Sequence, residues 1–273
     1  MTCYRHIFTT LIIAFFALTS VASEPAGCEP FVVAIDAGHG GHDHGTRGRR
    51  AREKDVTLAV ARLMASKIGE RFGDSVRVVL TRDSDVFVGL RERADIANRA
   101  GADLFISIHV NSVAARSRGR ETVQGASVYT LGLHKSDANL AVAMAENAVI
   151  ELEEDYSEQY QGFDPNVSES YIIFELSQGD NLNSSIDMAA LAQHYLTDYA
   201  GRADRGVRQA GFLVLWATRM PSVLVELDFM CNPRMERFLS STEGQERCAE
   251  ALVRALADYR ALHPHSRRTA PAD

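Results

Sequence analysis

Three apolar runs end in side chains that can hold a metal or move a proton. "AIDAGHGG" places His39 just past one run, "LFISIHVN" places His109 at the end of another, and "SVLVELDF" carries Glu226 near the end of a third. A fourth group, Glu53 in "REKD", stands where a helical pattern begins. Each alone has an ordinary explanation. A histidine in a glycine loop can be a local hydrogen-bonding group, and one that closes a buried strand is more often a satisfied core residue. A carboxylate at a helix start is favoured by the helix dipole, and Glu226 could pair with an arginine. Together they carry more. Two imidazoles and one carboxylate form a His2Glu set, which leaves a tetrahedral zinc one open position for water, as catalytic sites require. Glu226 follows "VLV" and is costly to bury without a purpose. Beside such a water it can act as general base.

The remaining histidines of the loop, His42 and His44 in "GGHDHG", lie farther from the strand end, so exposed or supporting roles are expected of them. Gly38, Gly40 and Gly41 suit a turn that swings His39 into a cleft. No G-x-G-x-x-G opens the following helix, so a dinucleotide site is not indicated.

These groups need elements to position them. Apolar, β-branched runs predict strands over 31–35, 76–80, 104–110, 126–131, 212–215 and 223–227. Helical spacing predicts helices from 54 onward and over 90–100, 137–152, 185–203 and 244–262. Strands alternating with helices predict an α/β fold: a single layered domain, with a mostly parallel central sheet flanked by helices. In such sheets functional groups gather at the carboxyl ends of strands. The domain is expected over 31–262, with an inserted segment of about 151–184 that begins acidic ("ELEEDYSEQYQ") and ends amphipathic. Long irregular insertions of this kind are usually functional or disordered. The tail 263–273 is expected to be loose.

The 273 residues suffice for one well-cored domain. Residues 1–23 have the pattern of a secretory signal peptide: Arg5, an apolar run from Ile7 to Leu18, then small residues. The run is shorter than the roughly 20 residues of a membrane span. Its removal takes one positive and no negative charge, so the net charge of −7 becomes −8. An acidic chain repels phosphate backbones, which argues against nucleic acid as a partner. Cys28, Cys231 and Cys248 would remain, an odd count that allows one disulfide of unspecified pairing.

In order, "DAGHGGHDHG", "EKD", "LTRDSD", "LRERADIAN", "ADLFISIHVNS", "GASVYTL", "GVRQAGFLVL" and "PSVLVELDFMCN" resemble the zinc-dependent N-acetylmuramoyl-L-alanine amidases of the amidase-3 type, and among them the cell-division subgroup. The likeness runs from about Phe31 to about Tyr259. It implies His39, Glu53 and His109 as zinc ligands and Glu226 as catalytic glutamate. It implies a peptidoglycan substrate, cut between the lactyl group of N-acetylmuramic acid and L-alanine of the stem peptide, and with the signal pattern it implies a periplasmic setting, simple secretion being the alternative. In that subgroup the segment equivalent to 151–184 resembles a blocking helix, displaced by an activator protein. A glutamate from it can take the open metal position. The candidates are Glu169 and Glu175 in "SESYIIFEL", with Glu169 favoured. One departure is Asp228, where the family often has glycine; it predicts an altered floor of the site. Two competing readings use the same residues: a zinc peptidase acting elsewhere on the stem peptide, and a catalytically silent peptidoglycan-binding module. The second has no use for Glu226 as a base.

Overall fold

The most apolar runs form the centre of the sheet. β1 (Phe31–Ala37), β3 (Leu104–Asn111) and β6 (Ser222–Phe229) are buried along their whole length, as parallel strands covered on both faces must be. β2 (Val76–Leu80), β4 (Ala126–Leu131) and β5 (Asp204–Ala210) extend them. The order is β2-β1-β3-β6-β4-β5. Neighbours are parallel except β4 and β6, which run antiparallel. The computed structural model describes residues 29–154, 156–160, 162–175 and 181–264. The expected signal peptide, Cys28 and most of the tail lie outside them.

Alternate strand residues feed two cores. Val33, Ile35, Ile106 and Val225 face α1 (Glu53–Phe72), α5 (Leu182–Asp198) and α8 (Thr242–Leu262), through Met64, Met188 and Leu252 among others. Ala34, Phe105, Tyr129 and Leu224 face α2 (Leu90–Arg99) and α6 (Leu213–Trp216). The described residues hold three further α-helices: α3 (Asp137–Asn147), α4 (Tyr156–Gln159) and α7 (Pro233–Leu239).

Two expectations need correction. The run at 212–215 is not a strand; it turns into α6, and the edge strand is β5 instead. Leu213, Val214 and Leu215 are all buried, and a short buried apolar run does not distinguish strand from helix. β5 reads "DRGVRQA", polar and mostly half-exposed because it has one neighbour only. The helix expected over 137–152 ends at Asn147 and tightens into a 3-10 turn, Ala148–Leu152.

The inserted segment holds α4 and a 3-10 helix, Ser168–Glu175. Tyr160, Tyr171 and Phe174 are buried in the second core. Phe174 lies flat against Gly211, where a Cβ would come within 2.1 Å of its ring. Asn147, the last residue of α3, donates to the Gly211 carbonyl and accepts from the Leu213 amide. The segment therefore packs behind α3. Cys231 and Cys248 are buried and free, so they do not pair with each other.

From β1 the chain passes to β2 on one side, then crosses to β3 on the other. The crevice beyond the ends of β1 and β3 is thus the point where the winding reverses, the place where open α/β sheets bind ligands.

Candidate metal centre

His39 and His109 meet in that crevice, with ring centroids 5.0 Å apart and nearly perpendicular. His39 follows β1 in a left-handed conformation, φ 61°, unique among the described non-glycine residues. Two glycines make room for the two rings. A Cβ on Gly38 would strike the His109 ring at 2.5 Å, and one on Gly45, itself at φ 61°, would strike Glu53 and His39 at 2.6 Å. Glu53 opens α1 and reaches back into the crevice, accepting from the Thr46 amide through Oε2 and the Val110 amide through Oε1. Its Oε1 is 3.2 Å from His39 Nε2 and 3.3 Å from His109 Nδ1.

A second carboxylate, expected by no sequence argument, completes the group. Glu146 on α3 places Oε2 3.2 Å from His39 Nε2 and 2.9 Å from His109 Nδ1. One ligand atom each from His39, Glu53, His109 and Glu146 lies within 4.8 Å of the others. Glu169, by contrast, is exposed on the 3-10 helix and accepts from the Ser168 hydroxyl. It does not reach the cluster; the carboxylate that does comes from the helix before the inserted segment. Glu146 is an isolated acid in "NLAVAMAENAV", and that isolation is the one signal that could have singled it out.

Glu226 stands on β6 in register with His109 and, across the antiparallel pair, with Ser127. It is 1% exposed, and neither of its oxygens has a hydrogen-bond partner. Burial first, then the nearby Glu146 charge, push its carboxyl well above the usual range, against the pull of His109. Burial would lower the His109 pKa, yet Glu146 and Glu53 overcome this and raise it to about 10.

His39 Nε2, His109 Nδ1 and Glu146 Oε2 are likewise buried without hydrogen-bond partners. Buried polar atoms are seldom left so. Two imidazole nitrogens and two carboxylate oxygens converging on one point suit a divalent cation, and the set fits zinc. His39 Nδ1 is 2.7 Å from Asp43, a hydrogen bond that turns Nε2 toward the cluster. Sequence reasoning missed Asp43, although its spacing of four from His39 was readable. His42 stacks on Phe87 instead, and is exposed. Asp228 lies apart from the cluster, accepting from the Gly125 amide and pairing with Arg202, so its difference from glycine is absorbed by a buried ion pair.

Beside the cluster lies a cleft of about 780 Å³, bounded by Ser127 and Tyr129 of β4, Ala138, Ala141 and Ala145 of α3, and Arg205 and Arg208 of β5.

Strand-end imidazoles and carboxylates of this kind, in a mostly parallel α/β sheet, form a site that could hold a metal ion. The chain belongs to the Amidase_3 family, N-acetylmuramoyl-L-alanine amidase, whose model matches residues 33–258. It is 32% identical over 229 residues to the N-acetylmuramoyl-L-alanine amidase AmiA of Escherichia coli, covering 84% of this chain and 75% of that one. The structure of the amidase AmiC2 of Nostoc punctiforme aligns with TM-score 0.60 and 30% identity, covering 85% of this chain and 97% of that one. The catalytic domain of the amidase CwlV of Bacillus (Paenibacillus) polymyxa aligns with TM-score 0.60 and 26% identity, over 85% and 98%.

Proposed function

We propose that the chain is a zinc-dependent N-acetylmuramoyl-L-alanine amidase, exported to the cell wall and held inactive by Glu146 until a partner protein displaces α3. It cuts between the lactyl group of N-acetylmuramic acid and L-alanine of peptidoglycan stem peptides, in wall remodelling and daughter-cell separation. The observation that supports this best is the convergence of His39, Glu53, His109 and Glu146 at the winding reversal of the sheet, with Glu226 alongside.

His39, Glu53 and His109 would hold the ion. When bound, it supplies Lewis-acid polarisation of the scissile carbonyl and acidifies water. Glu226 takes the proton of the attacking water and passes it to the departing amine of L-alanine. Buried and in register with His109, it lies beside the ligand set where both transfers take place. Asp43 and the Thr46 and Val110 amides fix the His39 ring and the Glu53 carboxylate beforehand, so little reorganisation remains when substrate arrives.

Glu146 stands where water and substrate must enter. The inserted segment buttresses α3 through Asn147, Tyr171 and Phe174, so covering the site falls to α3, and the segment serves as its support. Export rests on the sequence pattern of residues 1–23. Among the described residues no helix is long and apolar enough to cross a membrane.

The test is digestion of purified peptidoglycan by the zinc-loaded wild type, Glu146→Gln and Glu169→Gln, with products read by mass. Free stem peptides with an L-alanine amino terminus are expected, released about tenfold faster or more by Glu146→Gln and unchanged by Glu169→Gln. Cuts elsewhere in the peptide would point to the peptidase reading. Equal rates from wild type and Glu146→Gln would remove the autoinhibition, and no release by any variant would leave a binding module.

A further inference from the structure

Helix α3 touches the site at two places. Its Glu146 meets the metal donors, and its Asn139 Oδ1 accepts from Arg208 Nη1 at 3.0 Å across the cleft. The two residues are seven apart, two helical turns, or about 10.5 Å. The groups they touch have nearly the same spacing on the sheet. Arg208 is in register with Tyr129, and Tyr129 with Leu224; Glu226 lies two residues beyond Leu224, beside His109. Two strand spacings and two residues of rise put the Arg208 backbone about 12 Å from that of Glu226.

Arg208 is half-buried, and its partners among the described residues are neutral. Besides the bond to Asn139, its Nε donates to the Arg205 carbonyl, and its side chain meets the Tyr129 hydroxyl. Arg205 donates to the Gln124 carbonyl and lies over the Phe229 ring. Among the described residues neither arginine has an ion pair. Asp43, Glu53, Glu146 and Glu151 also line the cleft, yet among the described residues none of them forms an ion pair with either arginine, so in a chain of net charge −7 these two cations are a place for an anion. The planar fork of a guanidinium matches a carboxylate.

We propose that Arg208, with Arg205 beside it, forms a subsite for a carboxylate of the substrate peptide, and that α3 blocks the cleft as a mimic of that substrate. Glu146 takes the place of the group attacked, and the Asn139 carboxamide takes the place of the carboxylate on Arg208. An extended peptide covers about 3.4 Å per residue. With the reach of the arginine side chain, the carboxylate belongs two or three residues beyond the scissile amide. This rests on the amidase reading and names the part of the stem peptide that the cleft selects.

The experiment uses two synthetic muramyl peptides, identical except that the second residue's carboxylate is free in one and a carboxamide in the other. Cleavage is measured with zinc-loaded full-length Glu146→Gln, alone and combined with Arg208→Gln or Arg208→Lys. The acid is expected to be preferred in kcat/KM by about tenfold, the size of one charge-assisted hydrogen bond. Arg208→Gln should abolish the preference by slowing the acid alone, with zinc content unchanged; Arg208→Lys should restore part of it. In the Glu146 background, Asn139→Ala should raise basal cleavage of the acid. A preference that survives Arg208→Gln would overturn the subsite, and an unchanged basal rate in Asn139→Ala would overturn the mimicry. Calorimetric binding of the released acid and amide peptides to the same proteins decides the subsite independently of turnover. Cleavage of neither muramyl peptide by any variant would overturn the amidase reading, while the binding arm still gives its own answer on Arg208.

Discussion

Glu226 illustrates how much of a residue's role is set by its surroundings. On a strand between apolar neighbours, a carboxylate without hydrogen bonds is expensive, and here it lies in register with His109. A group this deprived of water and pressed by Glu146 holds its proton more firmly than an exposed carboxyl. Glu226→Gln keeps the shape and removes the base. It should lower stem-peptide release by about 10²–10⁴-fold while leaving bound zinc at one per chain by metal analysis. Retained turnover would reassign the base. Glu146 is the opposite case: an acid on an alanine-rich helix, with nothing in its own stretch of sequence to show that it faces two imidazoles.

At the level of elements, the β1–α1 loop is held open by two buried arginines. Arg93 donates to the carbonyls of Ala37, His39 and Val88, and Arg82 to those of Ala37, Gly38 and Lys54. Burial, then the neighbouring Arg93 charge, lower the Arg82 pKa to about 10. These bonds hold the left-handed peptide at His39, a conformation that costs about 1–3 kcal/mol outside glycine. The other element that matters is the inserted segment behind α3. Phe174→Ala would empty the space on Gly211 and forfeit about 3–5 kcal/mol of packing. The expected outcome is cleavage by chymotrypsin within 151–184, which holds Tyr, Phe and Leu residues but no Lys or Arg, under native conditions, together with a rise in basal amidase activity. Loosening without a rise in activity would separate the segment from the control of α3.

Across the whole molecule, the sheet is joined to its site by one buried ion pair. Asp36 of β1 accepts from Thr81, just past β2, from Ser107 of β3 and from Arg93 of α2, at 2.6, 2.6 and 2.8 Å. Burial alone would raise its pKa, but Arg93 and the two hydroxyls outweigh it and hold the carboxyl below its ordinary value. A depressed folded pKa means that the unfolded chain binds more protons in this window. The stabilisation is therefore complete above the ordinary value near 3.9 and is lost as pH falls below it. Denaturant unfolding followed from pH 7 to pH 3 should show this fall. Asp36→Asn should lower stability at pH 7 by about 3–5 kcal/mol and flatten part of the acid slope. An unchanged slope would assign the acid sensitivity to other carboxylates, Glu53 and Asp43 among them.

The sequence by itself determined the layered α/β fold and the four strand-end and helix-start residues that converge. Buried parallel strands must be continuously apolar, so a polar side chain at their carboxyl ends stands out, and His39, His109 and Glu226 did. It misplaced β5 because an edge strand needs no apolar run, and it read 212–215 as a strand because burial in α6 leaves the same composition. Only the tertiary structure decided which carboxylate closes the cluster. Glu146 and Glu169 each share a helical stretch with one other acid, Asp137 and Glu175, and composition does not separate them. The packing of α3 across the cleft, with the inserted segment behind it, brings Glu146 to the imidazoles and leaves Glu169 in solvent. That choice depends on contacts between residues far apart in the chain, which no local pattern records.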